Sequence, residues 1–385
     1  MQHAQGGAGQ RIDVLIVTAV PEEYAAVLAV DTGALEGRPW EARKASTGLE
    51  IRVRPFAAVG GGVLWIAVTQ ALGMGGVEAV SAAGQLLPEL GVRCLAMCGV
   101  CAGWRGKVAL GDVIIADRMW TYDTGKIKLE VDAKGRRSKR ERGDTTMFLL
   151  KPASWTQDAE RFVVDPAAGW LAARPRSYEA QGDWVLERVL VGVDPVADVD
   201  SQEKCADFDA VLARLWKKKL LEDGTLKLTK AGRKHIDRVL LRNRRKLQEP
   251  AAFRTYVGPI ASGSKVVEDA GIFERLSTSV RKVLGLEMEA AAIGALAHAR
   301  GLDYAGVMKG VMDHADPDKS DNFKAFAARA SAECLIAFVR AHLPALGDGE
   351  DEVLVPGTSS LSKPEKAGPA ALLNARHEVV DFVGR

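Results

Sequence analysis

Near the start of the chain, Ile12 to Ala19 is a run dominated by β-branched and aliphatic residues, and it constrains the fold more than any other feature. Such a run lacks the alternation of a half-exposed strand; it is the pattern of a strand buried on both faces, as in a parallel sheet. Pro21-Glu22-Glu23 follows and leads into an apolar helical pattern over Tyr24–Val30, with proline suited to the first helical turn. The alternation then recurs. Strands are expected at Ile51–Phe56, Val63–Thr69, Arg93–Met97 and Asp112–Ala116. Gly73-Met74-Gly75-Gly76 opens a helix to about Leu87, and the Arg93–Met97 strand ends in a small-residue turn, Cys98-Gly99-Val100-Cys101-Ala102-Gly103. Further on, Tyr256–Ala261 reads as a strand, and Leu284–Glu289 leads into an Ala-rich helix, Ala290–Arg300. Tyr304–Met312 is a strand ending at Asp313, and an amphipathic helix, Asn322–Leu343, closes the domain. Strands alternating with helices, with glycines where strands end, define an α/β fold.

Between about Gly125 and Pro250 the pattern changes, and this stretch is read as a basic helical insertion. Lys134–Arg142 is a run of cations broken only by Gly135, Ser138 and Glu141, and Ser201–Pro250 holds 14 Lys and Arg against 7 Asp and Glu. Leu221–Thr229 is hairpin-like, and Leu226 to Arg233 looks like a small winged-helix wing followed by a helix. A charged surface is usually just solvated; the alternative is that it gathers phosphates. Over the whole chain 52 Lys and Arg nearly balance 50 Asp and Glu, which excludes a generic polyanion binder. No stretch approaches the roughly 18 apolar residues of a membrane span, so no membrane partner is expected. Met1–Gln10 is polar and Gly-rich without a signal-peptide pattern, and a disordered leader over residues 1–11 is expected. The five cysteines (Cys94, Cys98, Cys101, Cys205, Cys334) do not form a secreted disulfide framework, so a cytoplasmic location is expected.

In open α/β sheets ligands sit beyond the carboxyl ends of the strands. Three acidic groups fall there: Glu23, the Glu287/Glu289 pair, and Asp313. Cleaving a base from ribose passes through an oxocarbenium-like state, for which one carboxyl can protonate the leaving group while another activates water. A carboxylate can also accept both vicinal hydroxyls of a ribose. In extended chain Glu287 and Glu289 point the same way, with Met288 opposed. Spacing alone leaves the bland readings open, because acids at strand ends and first helical turns are often caps or solvated charges. Cys98-Gly99-Val100-Cys101 has redox or zinc spacing, but no second pair completes a site and no metal is expected. Gly73-Met74-Gly75 suggests a dinucleotide fingerprint, yet Glu78 stands where its third glycine belongs; no cofactor is expected.

Together these segments resemble the purine nucleoside phosphorylase and uridine phosphorylase superfamily, nearest its hydrolytic, nucleosidase branch. The carrying motifs are Val17–Glu23, Gly73–Val77, Cys98–Gly103, Val108–Ala116, Ser262-Gly263, Leu286–Ala290 and Lys309–Asp316, in order across residues 12–345. The resemblance implies a three-layer fold, a central mixed sheet flanked by helices. It also implies roles: Glu23 activates water, Asp313 supplies a proton at purine N7, and Glu289 holds the ribose hydroxyls, with Met288 on the sugar. Val100, Cys101 and Ala102 would line the base and ribose pocket, and Val266 and Val267 would flank the base. Met312 replaces the serine usual before the catalytic aspartate. No Arg lies between Ala19 and Gly37, and Met97 stands where phosphorylases commonly place one, so water is favoured over phosphate as nucleophile. A phosphate-dependent phosphorylase and a non-catalytic sensing module remain the alternatives. The implied partners are a purine nucleoside or nucleotide, with adenine favoured, and further copies of the chain in a homo-oligomer. Residues 346–385 read as a linker, and Leu372–Arg385 resembles the lead-in to a STAND (NLR-like) ATPase, which would make the chain an effector module of an immune sensor.

Overall fold

The computed structural model describes residues 11–131, 137–143, 146–175, 178–198, 205, 208–243, 247, 253–317 and 321–345, and only the backbone of 126–131, 137–143 and 178. All of these fall in the first of two units, Met1–Ala345; the second, Leu346–Arg385, lies outside the described residues, and with it the linker and the ATPase-like lead-in. The leader expected over residues 1–11 lies outside them too, except for Arg11.

A mixed sheet holds the molecule together. β1 (Val14–Thr18) lies between β4 (Val63–Gln70) and β5 (Cys94–Gly103) and is parallel to both. β3 (Glu50–Ala57) and the edge strand β2 (Glu41–Lys44) extend it antiparallel on the β4 side. On the other side β12 (Tyr304–Asp313) runs parallel to β5 and antiparallel to β6 (Val113–Thr121). β10 (Thr255–Ser262) is parallel to β6, and β11 (Gly285–Glu287) is parallel to β10. β11 then returns to pair with the far end of β5, Gly285 opposite Gly103 and Leu286 opposite Ala102. Strands β5, β12, β6, β10 and β11 therefore close a ring beside the open sheet.

The layers explain the opening sequence run. Val14 and Ile16 of β1 point into one core with α1 (Pro21–Leu28) and α9 (Lys324–His342), while Leu15 and Val17 point into another with α2 (Gly76–Leu90) and α8 (Ala290–Ala299). Both faces are covered, so both parities of the strand must be apolar. This is the three-layer α/β architecture expected. Helix α9 rests so closely on β12 that a Cβ at Gly310 would lie 2.1 Å from the Ala327 carbonyl oxygen, which reserves that position for glycine.

Two segments differ from expectation. Cys98–Gly103, read as a turn, continues β5, because β12 on one side and β11 on the other both supply ladder partners. The basic run Lys134–Arg142, expected within a helical insertion, has its described part in β8 (Arg137–Gly143), paired antiparallel with β7 (Gly125–Val131). The alternation of Ile127, Leu129 and Val131 with Lys126, Lys128 and Glu130 is a strand pattern that the charge density obscured.

After β9 (Phe148–Leu149) and α3 (Ser154–Arg161), the helices α4 (Tyr178–Leu190), α5 (Phe208–Lys217) and α6 (Lys230–Arg242) bury a core of their own around Trp184, Leu212, Leu215, Leu221 and Ile236. Leu221 and Leu228 form an antiparallel bridge, the indole N–H of Trp216 donates to the Thr225 carbonyl at 2.8 Å, and Thr229 caps α6 by accepting from the Gly232 N–H. Helix α7 (Ile272–Ser279) packs Phe273 against Trp104. No helix among the described residues is long and apolar enough to cross a membrane.

Candidate active site

Because β1, β5 and β12 are parallel neighbours, their carboxyl ends and the segments that follow share one rim of the sheet. Glu23 reaches this rim from the first turn of α1. The chain leaves β1, extends at Val20 and enters the helix at Pro21, so the third helical residue turns back over its own N-terminus. One Glu23 carboxylate oxygen accepts the N–H of Ala19 at 2.8 Å and of Val20 at 3.3 Å, and the other accepts the N–H of Val100 at 2.8 Å. The group is 3% exposed and held by main-chain donors alone among these bonds. Gly99 makes this approach possible, since a Cβ there would lie 2.1 Å from the carboxylate. Its own N–H donates to the Ser331 hydroxyl of α9.

The second group of acids is organised around a cation. Lys309 of β12 is fully buried, with its ammonium 3.1 Å from Glu287 and 3.3 Å from Glu289. Glu287, at the end of β11, also accepts the Ser262 hydroxyl at 2.5 Å, the N–H of Glu289 at 2.9 Å and the N–H of Ala290 at 3.0 Å. Burial pushes the Glu287 carboxyl up, but Lys309, the Ser262 hydroxyl and the two helix amides more than offset it, and the group lies below its ordinary range. Among the described residues Glu289, just ahead of α8, accepts only the Gly75 N–H at 2.9 Å besides Lys309. Burial therefore dominates, moderated by Lys309 and reinforced by the negative charge of Glu287, and raises Glu289 to about 7. Burial disfavours the charged ammonium of Lys309, but the surrounding carboxylates win and hold it well above its usual value.

Asp313 stands opposite Ala102 across a bulge at Met312, where the register between β12 and β5 slips by one residue. Its Oδ1 accepts the Ala315 N–H at 2.8 Å, so its orientation is set by the following turn, in which Ala315 takes φ 53°. That turn is pinned on each side. The Ala315 carbonyl accepts the Asp269 N–H, and His314 Nδ1 donates to the Gly103 carbonyl at 2.8 Å. Burial and the neighbouring Arg105 charge push His314 down to about 4, so it is neutral. Asp316 is held by Arg105.

The residues singled out from sequence are not placed alike. Glu23 is bonded to Val100, Glu287 and Glu289 are joined through Lys309, and Met288 is half-buried between the two glutamates. Cys101 is buried, its thiol pushed up by burial, so it offers a ligand its backbone only. Ala102 and Val267 are half-buried against the cluster of Trp104, Phe273 and Trp120, whereas Val266 is 65% exposed. Sequence reasoning gave no role to Lys309 or Ser262. The signal was there: a lone lysine within the otherwise apolar run Val307–Val311 of a buried strand has to be paired.

The sequence profile of the phosphorylase superfamily matches residues 13–342, and the chain belongs to that superfamily. A curated relative, the uncharacterized protein y4jS of Sinorhizobium fredii, is 26% identical over 263 residues, which are 68% of this chain and 45% of the relative; the chain thus spans about half the length of the relative it matches. Among solved structures the chain is similar to an S-adenosylhomocysteine nucleosidase of Streptococcus pyogenes bound to 5-methylthiotubericidin (18% identity, TM-score 0.48, 88% of this chain and 100% of that one). It is similar also to the MTA/SAH nucleosidase of Streptococcus pneumoniae in complex with 8-aminoadenine (19%, TM-score 0.47, 86% and 100%) and to futalosine hydrolase of Helicobacter pylori (15%, TM-score 0.46, 85% and 97%).

Proposed function

We propose that this chain hydrolyses the N-glycosidic bond of a purine nucleoside or nucleotide, adenine being the favoured base. The observation that carries the reading is the seat of Glu23. The N–H groups at the head of α1 and in β5, which could cradle an anion, are already taken by a carboxylate of the chain itself. An inorganic phosphate arriving there would meet that negative charge, and the buried cation of the rim, Lys309, already serves two carboxylates. A water molecule carries no such penalty.

In this reading Glu289 accepts the ribose hydroxyls, Met288 packs on the sugar, and Glu287 braces the turn into α8. Backbone groups of Val100, Cys101 and Ala102 line the base and ribose, with Val267 and Val266 towards the base. Asp313, in its acid form, gives its proton to purine N7 and makes the base a neutral leaving group. The bond between the sugar's anomeric carbon and N9 breaks, a water oxygen bonds to that carbon, and Glu23 takes the water's proton. The products are free base and free sugar, and the proton returns from Glu23 to Asp313 through solvent.

The test is to incubate the full chain with ATP, AMP, adenosine and methylthioadenosine in phosphate-free buffer and to chromatograph for free base. Release of adenine from at least one is expected, and it should vanish in Asp313→Asn. Base release that begins only when phosphate is added would replace the reading with a phosphorylase.

A further inference from the structure

Glu23, Glu287 and Glu289 crowd one rim at which Lys309 is the single buried ammonium among the described residues. Their hydrogen-bond supply is unequal. Glu23 has three backbone donors, and Glu287 has a hydroxyl and two helix amides besides Lys309. Among the described residues Glu289 has one backbone donor, from Gly75, and its share of Lys309. A buried carboxylate stays charged only while donors or cations compensate its lost hydration, so the one with fewest donors takes up a proton first. Glu23 from α1 and Glu287 from β11 disfavour its charge, and Lys309 from β12 favours it. Glu78, at the head of α2, lies against Gly75, whose N–H Glu289 accepts, and adds a further negative charge on that side. The thiols of Cys98 and Cys101 in β5 are held protonated by burial.

Building on the nucleosidase reading, we propose that Lys309 is a positioning residue that keeps Glu289 ionised and aimed at the ribose diol, making substrate affinity depend on the Glu289 proton. A ribose brings two hydroxyl donors, which a carboxylate accepts together and a protonated acid cannot. Substrate binding and loss of the Glu289 proton are thus linked. Lys309 touches no reacting atom; it acts through Glu289.

The test uses Lys309→Met, Lys309→Arg and Glu289→Gln in the full chain, with a carbon-linked analogue of adenosine as a probe that cannot be hydrolysed. Its Kd is measured from pH 5.5 to 9, and the carboxyl titration is followed by 13C-glutamate NMR, with the Glu289 signal assigned by its absence in Glu289→Gln. In the wild type, affinity should rise with pH and level off above the Glu289 titration. In Lys309→Met that midpoint should move up by about a unit, which takes the ionised fraction at pH 7 from about a half to about a tenth and weakens Kd about fivefold, with recovery by pH 9. Lys309→Arg should stay near wild type. A loss equal at every pH, or an unmoved midpoint, overturns the proposal and leaves Lys309 a structural cation. If Lys309→Met does not fold, adding Glu289→Gln should restore folding; failure to restore it shows that Lys309 serves Glu287 instead. Should the probe not bind even the wild type, the nucleosidase reading is what has failed, and the NMR titration still decides whether Lys309 governs Glu289.

Discussion

Glu23 and Glu289 are both buried carboxylates on the same rim, but they are held by different means. Glu23 is gripped by main-chain N–H groups from the head of α1 and from β5, whose positions are fixed by the fold and which cannot titrate. Glu289 shares a buried ammonium with Glu287 and, among the described residues, has a single main-chain donor. The first arrangement fixes where the carboxylate sits. The second gives a ligand whose charge responds to its neighbours and to pH. The sheet supplies the first almost unaided, whereas the second needs three side chains to agree.

The comparison breaks hardest at Glu23. Glu23→Gln would set an amide NH2 against N–H donors that now face carboxylate oxygens and would remove the base, so kcat should fall by about 100- to 10,000-fold. Gly99→Ala attacks the same half from the other side, because its Cβ would overlap the carboxylate at 2.1 Å. It should cost activity while leaving the Glu289 titration in place. Steady-state kinetics together with the 13C signal would show this, and a variant with wild-type kcat would refute the amide-held base.

A smaller effect should separate the halves by pH. Folding raises the Glu289 pKa to about 7, so between the ordinary carboxylate range and about 7 the folded chain holds a proton that the unfolded chain has lost. That stabilising contribution is complete below the ordinary range and is lost as pH rises through about 7. Thermal melts should therefore show Glu289→Gln gaining on the wild type from pH 5 to pH 8. A constant difference over that range would contradict the assignment. The variant should also raise KM about 10-fold or more, as expected for losing charged hydrogen bonds to substrate.

Smallest is Ser262→Ala. It removes the hydroxyl that donates to Glu287 and accepts the Ala291 N–H, and should cost about 1–2 kcal/mol in denaturant unfolding. KM should change less than about twofold, since Lys309 and two amides still hold Glu287; a larger rise in KM would mean that Glu287 itself binds substrate.

How much of this was legible beforehand differs between backbone and side chains. Runs such as Ile12–Ala19 and Tyr304–Met312 announced strands because a layer covers each face, and Pro21 and Gly76 marked where helices begin. The continuation of β5 through Cys98–Gly103 was not legible, because small residues read as a turn until β11 is known to return and pair with them. Nor was the β7–β8 hairpin, where dense charge masked a period of two. Glu23, Glu287, Glu289 and Asp313 were legible as acids at strand ends. Their inequality was not, because it depends on which N–H groups and which ammonium each one meets across the sheet. Lys309 was visible as an oddity in its strand and became meaningful only with two glutamates beside it.

Whether water or phosphate attacks the sugar is decided by running the reaction in 18O-enriched water, with and without inorganic phosphate, and weighing the sugar product. Free sugar labelled from its first appearance, no sugar 1-phosphate and an equal rate in both buffers are expected. Formation of an unlabelled sugar 1-phosphate, or a reaction that waits for phosphate, would contradict attack by water.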